Sequence, residues 1–311
     1  MRPDVSVIIP VYNTRDYVAE AVQSVLNQTL GNIEVIAVDD GSTDGSLDVL
    51  KSFGDRIKII SQPNSGQADA RNKALEIASG EFVYFMDSDD WISPDTLKTC
   101  VEKCRAENLD FVFFDAVSFG EDFNPESCPW FDYHRSAPYA SPSDGCSVML
   151  DMLFKGLYRC SVCMCLFRRD FIGNLRFPSG ILHEDEYFAA ATFIKASRTA
   201  GIPEEFYHRR VRGNSVMTKM FTEKNVQGYL TTLRLVEPLG TDSRKKKAVR
   251  ELSKGFVMSL MHNSWNLPLK VRLGIAWEII FRYPYAFAPA PFASLLFKRV
   301  KDLSIRFAQS R

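Results

Sequence analysis

The stretch Phe82-Val83-Tyr84-Phe85-Met86-Asp87-Ser88-Asp89-Asp90-Trp91 carries an apolar run directly into three carboxylates. The run is apolar and aromatic and too short for a helix, and acids cannot be buried without partners. It therefore predicts a buried strand with Asp87, Asp89 and Asp90 at its carboxyl end. In an open α/β sheet that edge is where ligands bind. Hard oxygen ligands packed this closely suit Mg²⁺ or Mn²⁺. A bare D-x-D also occurs in solvated turns, so the rest of the chain has to decide between the two.

Around this strand the N-terminal third alternates strand and helix. Val5 to Ile9 reads as a β-branched strand closed by Pro10 and the turn Asn13-Thr14. A helix then follows on Tyr17, Val18, Ala21, Val22, Val25 and Leu26, with Asn13 or Thr14 as its cap. Ile33 to Val38 forms a second strand ending in Asp39 and Asp40, and Ile57 to Ile60 a third. A helix over 67–79 closes at Gly80, Ser93-Pro94 opens another, and Phe111 to Phe114 is a fifth strand. Strands and helices in this order predict a mostly parallel, doubly wound α/β sheet. The polar clusters Pro10 to Asn13, Asp39 to Asp44, Asn64 to Arg71 and Asp87 to Asp90 then gather on one edge. No G-x-G-x-x-G follows the first strand and no G-x-x-x-x-G-K-[ST] occurs, which excludes the usual dinucleotide and P-loop sites. Asp40 to Gly45 mimics the start of a calcium loop, but its twelfth position is Lys51 rather than glutamate.

Composition narrows the class. With 311 residues, 46% of them hydrophobic and 24% charged, the chain suffices for one large domain or two smaller ones. Lys+Arg and Asp+Glu both number 38, so charge gives no support for nucleic-acid binding. Seven cysteines and no leader pattern at the first residues predict a reducing cytosol. The Cys160-x-x-Cys163 spacing reads as small apolar residues of a strand. No apolar run reaches the roughly 18 residues of a spanning helix.

The ordered set Val5-Ser6-Val7-Ile8-Ile9-Pro10-Val11-Tyr12-Asn13, Val38-Asp39-Asp40-Gly41-Ser42-Thr43-Asp44, Asn64-Ser65-Gly66 with Ala70-Arg71-Asn72, and Asp87-Ser88-Asp89-Asp90 resembles the inverting family 2 glycosyltransferases of the GT-A fold, bacterial surface-polysaccharide type. The resemblance implies a nucleotide-diphosphate sugar donor, most simply UDP-linked, and a glycan or lipid-linked acceptor. It implies that Pro10, Tyr12 and Asn13 flank the nucleotide, that Asp40 bonds the uracil edge, and that Asn64 and Arg71 lie near the base or phosphates. Asp87 and Ser88 would meet the ribose or sugar, and Asp89, beside Asp87, the Mn²⁺ or Mg²⁺ on the diphosphate. In His183-Glu184-Asp185-Glu186 it implies the catalytic base, with Asp185 preferred over Glu184. Unaided, the acids of that stretch read as compensation of a helix dipole. Tyr207 to Thr218 resembles a loop closing over the diphosphate, with Arg212 and Ser215 at matching positions and His208 as a further metal ligand or a structural histidine.

Residues 1–221 therefore read as the catalytic domain, 1–116 for the donor and 117–221 for acceptor and base, with 222–311 a helical extension. The aromatic stretch 117–145, centred on Cys128 to His134, reads as an acceptor loop or a packed insertion. A basic amphipathic pattern over Phe292, Leu295, Leu296, Val300, Leu303 and Phe307 suits an anionic membrane or a docked helix. The expected location is the cytoplasm, at the inner face of the membrane. The rival readings are a sugar-nucleotidyltransferase and a non-catalytic nucleotide-sugar-binding protein.

Overall fold

The computed structural model describes residues 2–120, 131–212 and 220–296. Two compact units divide the chain, one of residues 1–180 with 185–218, the other of 181–184 with 219–311.

The first unit contains β1 (Val5–Val11), α1 (Arg15–Leu26), β2 (Ile33–Asp39), α2 (Ser46–Lys51), β3 (Lys58–Ser61), α3 (Gln67–Ile77), β4 (Phe82–Phe85), β5 (Trp91–Ile92) and α4 (Thr96–Ala106). These are followed by β6 (Phe111–Phe119), α5 (Gly145–Lys155), β7 (Cys165–Arg168), α6 (Arg169–Ile172), α7 (Glu184–Lys195), whose first residue Glu184 falls to the second unit, and β8 (Thr199–Arg210). One eight-stranded sheet runs β3-β2-β1-β4-β7-β6-β8-β5. Its first four strands are parallel, as the alternating sequence requires. The other half is mixed, because β7 pairs antiparallel with both β4 and β6, and β5 antiparallel with β8. A four-residue strand carries too little pattern to be seen in the sequence. Its place is set by Phe167, which lies opposite Val83 on one side and Phe111 on the other. Of the cysteine run only Cys165 is in this strand, and Cys163 lies in the 3₁₀ turn before it; both are free thiols.

Several local expectations shift for identifiable reasons. β4 stops pairing with β1 at Phe85, opposite Ile8, so the missing N–H of Pro10 costs no ladder bond. α3 ends at Ile77, and Gly80 is no helix cap. It is needed instead for close approach, since a Cβ there would lie 2.5 Å from the Ser6 amide. Asp95 takes the cap position of α4, which leaves Pro94 outside the helix. Thr14 does precede α1, yet its hydroxyl caps nothing and donates instead to Ser88.

The second unit holds α8 (Glu223–Val236), α9 (Ser243–Asn263), α10 (Leu269–Arg282) and α11 (Pro289–Leu296). Thr222 and Asn225 form a capping box for α8, and Asp242 caps α9 through the Lys245 amide. Gly228 on α8 sits under the Leu182 carbonyl, where a Cβ would come within 2.2 Å. His183, at φ +65°, stacks on Tyr229 with ring centroids 4.3 Å apart. Among the described residues no helix is long and apolar enough to cross a membrane. Of the C-terminal amphipathic pattern, residues 297–311 lie outside the described part, as do Ser215 and Cys128 to Trp130.

Candidate active site

The turn after β1 sets the first wall. Asn13 adopts φ +52°, a conformation asparagine tolerates better than most residues. Its side-chain oxygen accepts from the Thr43 amide at 2.8 Å, and its own amide donates to Ser42 at 3.1 Å. Tyr12 beside it is 48% exposed. The turn after β2 is locked against that after β3. Asp40 is buried and accepts from Gln62, from the Ser65 amide and from the Gly66 amide, each at 2.8 Å. Gly41, at φ +76°, is obligatory there, because a Cβ would lie 2.9 Å from the Asn64 amide. A carboxylate offers about four acceptor positions, so three donors leave Asp40 one.

At the end of β4 the acids diverge in environment. Asp87 receives the Arg71 guanidinium at 2.9 Å, and Arg71 is buried over the Phe177 ring. Ser88, expected among the donor contacts, is buried and takes the Thr14 hydroxyl at 2.9 Å, which makes it a strut between two site turns. Asp89 accepts from Arg212 Nε at 2.7 Å. Burial and the neighbouring Asp87 push the Asp89 carboxyl above its ordinary value, against the pull of Arg212. Asp90 turns inward to the Tyr207 hydroxyl and the Arg210 amide. His208 is held by Ser93 at 2.9 Å and stacks flat on Trp91, a structural position.

Asp185 stands in the first turn of α7. Burial raises its pKa, Arg71 opposes the shift, and Asp87 adds to it. The field of Asp87 and Arg71 thus reaches the carboxylate that the sequence offers as base. Glu184 is buried at the start of α7. Glu186, named in that stretch but given no role of its own, is driven up to about 8 by burial and by Asp185. Also unforeseen are the Asp90–Tyr207 contact and Arg209, which lies over the Phe131 and Tyr133 rings. Both depend on β8, whose pairing no local pattern announces. Phe131 and Tyr133 are themselves buried, while Asp132 and His134 beside them are exposed.

Among the described residues no three His, Cys, Asp or Glu side chains form a metal cage. Asp87 and Asp89 nevertheless suit a cation that brings most of its own ligands. Mg²⁺ typically keeps one or two carboxylates and takes the rest from phosphates and water. Burial is the first cause of the raised Asp89 carboxyl and the charge of Asp87 the second, and a cation would relieve the second.

A family model described as "Glycosyl transferase family 2" matches residues 6–176, more than half of the chain. This chain belongs to glycosyl transferase family 2. It is 32% identical over 227 residues to glycosyltransferase GlyA of Streptococcus pneumoniae, covering 71% of this chain but 32% of that protein. It is 33% identical over 226 residues to the putative glycosyltransferase EpsH of Bacillus subtilis, covering 70% of this chain and 63% of EpsH. The chain therefore spans from about a third to just under two thirds of these relatives' lengths. TuaG of Bacillus subtilis, a putative teichuronic acid biosynthesis glycosyltransferase, is 43% identical over 128 residues, 40% of this chain and 51% of TuaG. In three dimensions this family 2 glycosyltransferase resembles S. aureus TarS 1–349 in complex with UDP-GlcNAc. The TM-score is 0.67 at 22% identity, covering 96% of this chain and 83% of that one. The mannosyltransferase PcManGT of Pyrobaculum calidifontis, in complex with GDP-Man and Mn²⁺, gives a TM-score of 0.56 at 19% identity, covering 97% and 88%. The GT-A fold expected from the motifs is the fold observed.

Proposed function

We propose that this glycosyltransferase moves a sugar from a UDP-sugar to a hydroxyl of a glycan or lipid-linked acceptor, with inversion, in bacterial polysaccharide synthesis. Residues 1–116 bind the donor, 117–221 carry the base and acceptor side, and 222–311 are an extension; the work is done in the cytoplasm at the inner membrane face. The observation that carries the reading is the Asp185 carboxylate under the field of Asp87 and Arg71. A raised pKa makes Asp185 a better base. It takes the proton of the acceptor hydroxyl while that oxygen bonds to the anomeric carbon, and the bond from that carbon to the diphosphate breaks on the opposite side.

Pro10, Tyr12 and Asn13 border the nucleotide, the acceptor position left on Asp40 suits the imide N–H of uracil, and Asn64 and Arg71 lie beside it. Arg71 and Arg212 face the diphosphate, a role the resemblance also implies for Ser215. Ser88 positions Asp87 and Asp89, which would hold Mn²⁺ or Mg²⁺; the ion supplies charge neutralisation on the leaving group. TarS in complex with UDP-GlcNAc supports a UDP-sugar in this fold, and PcManGT supports a metal. The nucleotidyltransferase alternative needs a glycine-rich phosphate loop after β1, and Pro10 to Asn13 is not one.

The test is a thermal-shift and hydrolysis panel of UDP-, GDP- and dTDP-sugars with Mn²⁺ or with EDTA. UDP-sugars should raise Tm with Mn²⁺ and much less with EDTA. Equal stabilisation in both conditions removes the metal, and a preference for GDP or dTDP removes uracil recognition.

A further inference from the structure

α10 has two apolar faces. Ile275, Ala276 and Ile279 are buried and pack it into the helical unit. Leu269, Leu273, Trp277, Ile280 and Phe281 form a second stripe, each between 46% and 68% exposed. At 100° per residue these five fall within about a third of the helix circumference, displaced from the buried face. Trp277 and Phe281 touch, with ring centroids 5.3 Å apart, and Phe287 continues the apolar surface past the helix end at 45% exposure. α11 does not cover the stripe: Arg272, toward the buried side, bonds the Leu295 carbonyl at 3.2 Å while the aromatic residues stay open.

Charge identifies what this surface meets. The chain is formally neutral, but residues 219–311 contain 17 Lys and Arg against 6 Asp and Glu, a net +11 that residues 1–218 balance. Arg244, Lys245, Lys246 and Lys247 occupy the first turn of α9, the positive end of its dipole, where cations destabilise a helix. Lys245 lies 3.7 Å from the capping Asp242, so the turn is partly compensated, yet four cations follow one another there. Arg250, on the same helix, lies over the Tyr285 ring at 4.8 Å, which brings the basic start of α9 next to the end of α10. A second copy of the chain is a poor occupant, because a twofold contact would set one strongly cationic unit against another. Trp and Phe beside Lys and Arg are instead the chemistry of a helix lying at an anionic bilayer surface. α10 is 14 residues long, and nothing described can span, so it would lie in the interface.

We infer that the Leu269–Leu273–Trp277–Ile280–Phe281 face of α10, with the basic first turn of α9, docks the enzyme on anionic phospholipid. This makes α10 a docking element distinct from the amphipathic C-terminal segment, and it stands independently of the donor reading.

The test uses the full chain with vesicles of phosphatidylglycerol and phosphatidylcholine against phosphatidylcholine alone. Wild type should sediment with the anionic vesicles at low salt and be released by high salt. The combined Leu273→Ser, Trp277→Ser, Phe281→Ser variant should partition about ten-fold less or worse, with Tm and UDP-induced stabilisation kept. Brominated phosphatidylglycerol should quench tryptophan fluorescence in wild type and much less in Trp277→Phe, which preserves the apolar surface. Failure of wild type to bind anionic vesicles overturns the inference, as does equal binding by the triple variant. A wild-type dimer that the triple variant dissolves would assign the stripe to self-association. Loss of UDP-induced stabilisation in wild type would strike the donor reading alone.

Discussion

Glu34, at the amino end of the parallel strands, and the acids around Asp89, at the carboxyl end, are held in opposite ways. At the amino end, Glu34 on β2 is saturated. It accepts from the Ser6 and Ser79 hydroxyls, from the Ser79 and Gly80 amides and from Lys58, all between 2.5 and 3.1 Å. Burial opposes ionisation there, but the Lys58 bond and the other donors outweigh it and pull the carboxyl down to about 2. At the carboxyl end, Asp89, Asp90, Asp185 and Glu186 are all pushed upward, by burial first and then by neighbouring acids, Asp87 foremost for Asp89 and Asp185. Glu34 has more donors than its charge requires, whereas these four acids have more charge than their donors satisfy. A saturated carboxylate holds strands together. An undersatisfied group of them can take up a proton or a cation.

The contrast breaks most visibly at Asp185. Asp185→Asn should lower transfer about 10²- to 10⁴-fold while calorimetry finds donor affinity nearly unchanged. If Glu184→Gln loses transfer and Asp185→Asn does not, the base is Glu184. Asp89→Asn comes next. It should weaken metal-dependent UDP binding about ten-fold or more, yet leave Tm equal or higher, because it removes a charge that burial already disfavours. A fall in Tm with intact UDP binding would place Asp89 with Glu34, as a structural acid.

Glu34→Gln should do the reverse, costing about 2–4 kcal/mol in urea unfolding with turnover per folded molecule preserved. Because the folded pKa lies below the ordinary 4.5, the wild-type advantage is complete above that pH and is lost as pH falls through about 2. The smallest effect concerns Glu186. Its folded pKa of about 8 exceeds the ordinary 4.5, so the folded protein binds the extra proton and loses stability as pH rises between those values. Glu186→Gln should flatten that slope and gain most over wild type at pH 8. Identical slopes would show that its burial is relieved in solution.

The parallel half and its site turns were legible because their signals are local. A β-branched run closed by Pro10, a glycine at φ +76° after Asp40, and acids after Phe85 each declare themselves within a few residues. The antiparallel half was not legible. β7 is four residues between β4 and β6, and β5 is two residues set by β8, so pairing rather than periodicity defines them. The roles of Thr14, Ser88, Asp90 and Glu186 follow the same division. Each is an ordinary polar residue until a distant segment supplies its partner or strips its water.

By itself, the amino-acid sequence determined the family and the parallel core, since those depend on residue type and short spacing. Only the tertiary structure decided which carboxylates are saturated and which are left wanting charge, and which apolar stripe of α10 is left uncovered among the described residues. Burial and hydrogen bonding are properties of what surrounds a residue, and those surroundings are assembled from segments far apart in the chain.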